Sequence, residues 1–167
     1  VVEVAVKRDL KRWLSDAKRI AVLGIGSTIR ADDGVGPVIV QKLSEIRFPK
    51  NIKLFNCGVV PESFTGSIKK FRPTHILMID SALMNLKPGE LKLIATDKIK
   101  GIAVSTHALP LNLLAEYLQN VTGAKIILLA IQPKSLEFNS HLTRELQEAA
   151  NKIADILTKI FSEEEKS

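Results

Sequence analysis

Cysteine is almost missing from this chain. Cys57 stands alone, so no disulfide forms within the chain, as suits a reducing compartment. Apolar runs are short. None approaches the roughly 20 residues of a membrane helix. The apolar start Val1–Val6 is too short for a signal-peptide core and runs into Lys7, Arg8 and Asp9. These absences predict a cytoplasmic chain without membrane insertion. Aromatic residues make up only 5% of the sequence, and none alternates with Lys or Arg along a strand. The formal charge of +6 therefore lacks the stacking surface of a nucleic-acid binder. Its Lys and Arg residues are scattered and read as solvated faces that can attract an acidic protein. No internal repeat or low-complexity tract occurs. The Gly-x-Ser-x-Gly elbow of a serine hydrolase is absent. So is the third glycine of the dinucleotide fingerprint, since Ile29 stands where Gly26 should be followed by glycine.

What is present is a strand–loop–helix corner. The run Ile20–Leu23 reads as a buried strand, Gly24-Ile25-Gly26 as a tight turn, and Gly34 to Ile46 as an amphipathic helix. Between them stand Asp32 and Asp33. Such a corner often holds phosphate on a helix N-terminus. Two carboxylates there repel phosphate and attract a cation.

The 167 residues suffice for one domain with a full core, residues 1–167. Further strands are expected at Ile52–Phe55, Ile76–Ile79, Leu91–Ala95 and Ile126–Ile131. Helical periodicity fits Val4–Leu14, Leu111–Val121 and Leu142–Phe161, with a short helix in 62–71 after Pro61. An extra N-terminal helix over 3–16 is expected to pack through Val4, Leu10, Trp13 and Leu14, and residues 162–167 to fray. The alternation of elements predicts an α/β fold: a three-layer α/β/α sandwich around a mostly parallel, twisted, five-stranded sheet. The turn Lys87-Pro88-Gly89 makes the 90s strand an antiparallel edge.

Ligands collect where parallel strands end. Asp32 and Asp33 follow the first strand, Asn56 and Cys57 the second, and Asp80 ends the third. Ser105-Thr106-His107 precede the helix opened by Pro110, and Gln132-Pro133 follow the fifth. Asp80 emerges from four apolar residues, so its carboxylate must be paired, hydrogen-bonded or metal-bound. Asp33, Asp80 and His107 together suit a borderline divalent ion such as zinc or nickel with positions left open. Other readings stand beside this one. Asp32 or Asp33 could cap a helix. Cys57 with His107 could form a thiol–imidazole pair, and Ser81 or Ser105 with His107 and Asp80 a weaker nucleophile. His75 and His141 read as structural or exposed.

Several segments taken together resemble the hydrogenase maturation endopeptidases, over about residues 20 to 160. They are Gly24-Ile25-Gly26 with Asp32-Asp33-Gly34-Val35-Gly36-Pro37, then Gly58-Val59-Val60-Pro61-Glu62, Arg72-Pro73-Thr74 leading to Ile79-Asp80, and Pro88-Gly89-Glu90. Ser105-Thr106-His107-Ala108-Leu109-Pro110-Leu111 and Ile131-Gln132-Pro133 complete the set and look most like the branch serving formate-hydrogenlyase-type, group-four hydrogenases. The resemblance implies an endopeptidase that removes the C-terminal extension from the large-subunit precursor of a [NiFe] hydrogenase. It implies that Asp33, Asp80 and His107 contact nickel already carried by that precursor, which serves as the recognition element. It further implies a monomer with no organic cofactor. A zinc-dependent peptidase or amidohydrolase with its own metal is the alternative, and a nucleotide- or nucleic-acid-binding module comes third. The chain departs from the family pattern at Ser27, where Asn is usual, at Asn56-Cys57 in place of Asp-Gly, and at Lys134 in place of Asp.

Overall fold

The computed structural model describes residues 2–101, 103–104 and 110–164. Five strands lie in the order β2-β1-β3-β6-β4. They are β1 (Ile20–Ile25), β2 (Ile52–Gly58), β3 (His75–Leu83), β4 (Leu91–Ala95) and β6 (Lys125–Ile131). All pair in parallel except β4, which runs antiparallel to β6 at one edge. A two-residue strand, β5 (Ala103–Val104), pairs antiparallel with the end of β3 and was not expected. The three-layer α/β/α architecture is therefore as the sequence predicts.

Side chains of a strand alternate between its faces. On β3, Leu77 and Ile79 join one core cluster, and Ile76 and Met78 the other. The first cluster is covered by α1 (Val2–Trp13), α2 (Val35–Ser44) and α5 (Arg144–Glu164). The second is covered by α3 (Thr65–Phe71) and α4 (Leu111–Thr122). The apolar stripe of α5, from Leu146 through Ile153 to Phe161, is buried. Each such fully buried side chain stabilises the fold by about 1.5–3 kcal/mol.

Three expectations need correction. The first helix ends at Trp13, and Val4 is 71% exposed, so Val6 takes its place in the core beside Leu10 and Leu14. The last helix continues to Glu164, so residues 162–164 are helical rather than frayed. Asp80 does not end its strand, because β3 runs on to Leu83. Its pairing with β1 stops at Gly24–Ile79, whereas pairing with β6 continues through Asp80–Ala130 and Ser81–Ile131. Asp80 thus lies in the sheet just where β1 leaves it.

α1 is fastened at the opposite edge of the sheet. His75 is buried, its ring edge-on to Trp13 at 4.9 Å. Its Nε2 lies 3.1 Å from Asp16 Oδ1, and Lys125 Nζ donates to Asp16 Oδ2 at 2.7 Å. This His is structural. His141 is exposed.

Candidate active site

Glycine lets the carboxylates approach the sheet. Gly26 has φ 138°, and a Cβ there would stand 1.8 Å from the Asp33 carbonyl oxygen and 3.4 Å from Asp80 Oδ1. Only a residue without a side chain fits between the two acids. In the first turn of α2, a Cβ on Gly36 would meet the carbonyl oxygens of Ile79 at 2.4 Å and Ile25 at 2.5 Å. Gly36 therefore gives the close helix–sheet packing that the third glycine gives in dinucleotide folds.

The two adjacent acids have different roles. Both lie in a 3-10 turn, Ala31–Gly34, and both are fully buried. The N-cap positions of that turn and of α2 are Arg30 and Gly34, so neither acid is the cap residue. Asp32 faces the loop after β6. Its Oδ2 accepts the N–H groups of Lys134 at 2.8 Å and Ser135 at 3.0 Å. Its Oδ1 accepts the N–H of Thr143 at 2.7 Å, and the Thr143 hydroxyl also donates to the carboxylate. The backbones of the two loops pair as well: Asn139 N–H donates to Ile29, Ala31 N–H to Ser140, and Asp32 N–H to Ser135. Ala31 is held between these bonds at φ 43°, a conformation rare for a residue with a side chain. Asp32 is thus a bracket between loops.

Asp33 faces β3. Its Oδ2 accepts the N–H of Ser27 at 2.8 Å, and its Oδ1 accepts the hydroxyl of Ser81 at 3.1 Å. The Ser81 N–H donates to Asp80 Oδ1 at 2.7 Å. One serine therefore touches both carboxylates, its hydroxyl toward α2 and its amide to its own neighbour. By strand alternation Asp80 shares the face of Ile76 and Met78, the side covered by α3 and α4. Asp33 approaches from the α2 side. The pair sits at the C-terminal edge of the sheet, converging from its two faces. These hydrogen bonds orient the two acids. The Ser27 N–H, which a phosphate would need at this corner, is taken by a carboxylate.

His107 lies outside the described residues, as does Ser105. The described residues on either side of that stretch belong to this neighbourhood: Val104 pairs with Ala82, two positions beyond Asp80, and Pro110 precedes α4 on the face that Asp80 shares.

The packing speaks against Cys57 and Ser81 as nucleophiles, while the reading with Ser105 falls outside the described residues. Cys57 lies within β2, buried among the apolar residues under α3, and burial pushes its thiol up to about 12. It stays protonated at neutral pH and is a poor nucleophile. Ser81 is fully buried and positions the acids.

The departures from the family pattern also become legible. Ser27 acts through its backbone N–H. At Lys134 the backbone N–H meets Asp32, while the ammonium pairs with Glu145 at 2.8 Å and lowers that carboxyl's pKa. Asn56 is exposed, and the Gly58 carbonyl accepts the Gly26 N–H at 2.8 Å, tying β2 to the site loop. Gln132, buried after β6, accepts the N–H groups of Met84 and Leu86 and so holds the loop after β3.

Sequence reasoning missed Asp32's bracket and Ser81's bridge. Adjacent acids in a tight turn do signal that one must face away from the site, but nothing local indicates which.

The family model of hydrogenase maturation proteases matches residues 37–160. A Methanocaldococcus jannaschii protein, provisionally named a hydrogenase maturation protease, is 39% identical over 165 residues, covering 95% of this chain and 97% of that protein. The hydrogenase 3 maturation protease of Escherichia coli is 33% identical over 134 residues, covering 79% of this chain and 84% of its own. The crystal structure of the [NiFe] hydrogenase maturation protease HycI from Thermococcus kodakarensis superposes with a TM-score of 0.87 at 32% identity, covering 92% of this chain and 99% of that one.

Proposed function

Because the chain belongs to the hydrogenase maturation protease family, we propose that it removes the C-terminal extension of a [NiFe] hydrogenase large-subunit precursor, guided by nickel that the precursor already carries. The observation that carries this reading is the carboxylate pair. Asp33 and Asp80 reach the same sheet edge from opposite faces, joined through Ser81. Two oriented carboxylates with an imidazole from His107 make a three-ligand set that leaves positions on an ion open. The precursor's own ligands would fill the rest, so the ion is cargo of the substrate and the enzyme needs no organic cofactor. A metal held between two proteins can polarise the scissile carbonyl, and a carboxylate beside it can take a proton from the attacking water.

Among the described residues no helix is long and apolar enough to cross a membrane. A cytoplasmic monomer working on a protein precursor is the setting proposed. The basic surface would speed encounter with an acidic partner, an effect that fades with salt.

The test offers the purified enzyme the large-subunit precursor with and without nickel at fixed ionic strength. A single cut in the nickel-loaded form, with the nickel-free form left whole, is the expected result. Equal cleavage of both would refute nickel-guided recognition and favour an enzyme that carries its own zinc. Cleavage of neither would refute the substrate.

A further inference from the structure

β4 is an edge strand, and a groove of about 690 Å³ runs beside it. To its lining α1 supplies Arg12 and Trp13, the 3-10 turn Thr96–Gly101 supplies Lys98, and β4 supplies the four consecutive residues 92–95. Side chains of a strand alternate between its faces, so a depression on one face meets every second residue. Four in succession place this groove along the edge. The backbone there is unpaired. Gln132 N–H donates to the Glu90 carbonyl at 2.9 Å across the β4–β6 pair. In an antiparallel ladder, residues that bond across alternate with residues that turn N–H and C=O away. Lys92 and Ile94 therefore bond to β6, and Leu93 faces outward. Among the described residues no hydrogen bond takes the Leu93 N–H or C=O. The charge is one-sided as well. Arg12, Lys92 and Lys98 make no ion pair among the described residues, whereas Asp9, the one acid in the lining, is taken by Arg8 at 3.3 Å.

We propose that this edge binds an extended acidic segment of a partner protein, which adds to the sheet as a further strand antiparallel to β4. Backbone and side chains both choose this occupant. A residue opposite Leu93 exchanges two hydrogen bonds with it and lies on its face. That face is apolar: Leu93, Trp13 and Ile127 all pack on the first core cluster. The other face is basic. Ile94 belongs to the second cluster, Lys92 shares its face by alternation, and the turn that carries Lys98 packs there through Ile99. The segment that fits therefore alternates apolar residues toward Trp13 with acidic residues toward Lys92 and Lys98. A second copy of the chain would bring the same three cations, and a net charge of +6, against their own likes. A nucleic acid carries the charge but no row of amide donors and acceptors at strand spacing. The groove is remote from the carboxylates, since Ala95 pairs with Ile127 near the start of β6 and Asp80 with Ala130 near its end. Binding here does not depend on the proposed function.

Trp13 is the only tryptophan of the chain and lines the groove, so its emission reports occupation. The probe is a blocked synthetic peptide alternating Glu and Val, titrated into the full chain at fixed ionic strength. A saturable change in Trp13 emission is expected. Lys92→Glu and Lys98→Glu should each raise Kd at least fivefold. Lys50→Glu, the same charge change just before β2 at the opposite edge, should stay within twofold. The same peptide N-methylated at every valine keeps its charge, loses the N–H that Leu93 C=O would accept, and should bind at least tenfold more weakly. Thermal melts check that the variants remain folded, and Lys→Gln at the same position replaces any that does not. No change in emission with the Glu–Val peptide overturns the proposal. Equal binding of the N-methylated peptide overturns strand addition, and Lys50→Glu weakening binding as much as Lys92→Glu overturns the site. An oligothymidylate that binds as tightly as the peptide, and loses affinity in the same two variants, overturns a protein segment as the occupant.

Discussion

The hydroxyl of Ser81 donates to Asp33 Oδ1 at 3.1 Å across 48 residues of sequence. This bond joins the turn that opens α2 to the centre of the sheet. Because the same serine gives its N–H to Asp80, the two acids are set relative to one another by β3 itself, a rigid element, rather than by a loop.

Asp33→Asn and Asp80→Asn should each lower the processing rate by about 100-fold or more, the usual scale for removing a charge aligned with the reacting group. At position 80 the amide keeps a carbonyl oxygen for the Ser81 N–H; at position 33 its oxygen keeps the Ser27 N–H while its NH2 faces the Ser81 hydroxyl, which can turn to accept, so the melting temperature should move by only a few degrees. Single-turnover cleavage and a thermal melt on the same preparation check this. A variant that retains full rate would remove that acid from the site.

Asp32→Ala should do the opposite, striking stability first. It leaves three backbone N–H donors, those of Lys134, Ser135 and Thr143, without their acceptor. At about 1–3 kcal/mol for each stranded donor, the loss should reach about 3–5 kcal/mol once the loop relaxes. Denaturant unfolding of variant and wild type measures it. A change below about 1 kcal/mol would mean that water replaces the bracket.

Gly36→Ala adds one methyl where the carbonyl oxygens of Ile79 and Ile25 leave no room. Overpacking against backbone should cost about 3 kcal/mol or more. The expected outcome is a large drop in soluble yield or melting temperature. Gly66→Ala, where a Cβ meets nothing, serves as the tolerated control.

Cys57→Ser should process precursor at close to the wild-type rate, since the thiol is protonated and enclosed. Iodoacetamide at pH 8 should label the folded protein slowly and the unfolded chain readily. Loss of activity on labelling of the folded protein would revive the thiol mechanism.

His75 should make the fold acid-sensitive. Burial holds its pKa below the ordinary 6.5, against the opposing pull of Asp16, and the Lys125 ammonium adds to the lowering. Between that lowered value and 6.5 the unfolded chain binds a proton that the folded one does not. Stability from this group is therefore present above pH 6.5 and is lost as pH falls through the window, then levels off. Melting temperatures from pH 7.5 to 5 should show this slope, and His75→Gln should flatten it.

The sequence by itself determined the layers. Apolar runs of four to six residues alternating with amphipathic stretches leave little choice but a parallel sheet between helices, and Lys87-Pro88-Gly89 marked β4 as the antiparallel edge. It also determined where acids would gather, because loops after parallel strands meet at one edge. Tertiary structure decided what each acid does. Asp32 and Asp33 are equivalent to any local rule, yet one turns to Thr143, 111 residues away, and the other to Ser81. Asp80 could be read as a strand end because the continued pairing of β3, with β6 through Ser81 and then with β5, has no local signature. Cys57 looked available at a strand end until β2 ran past it and the helices closed over it. Periodicity records which face a residue presents to its own element, whereas partners depend on which elements become neighbours. That is fixed by packing of the whole chain.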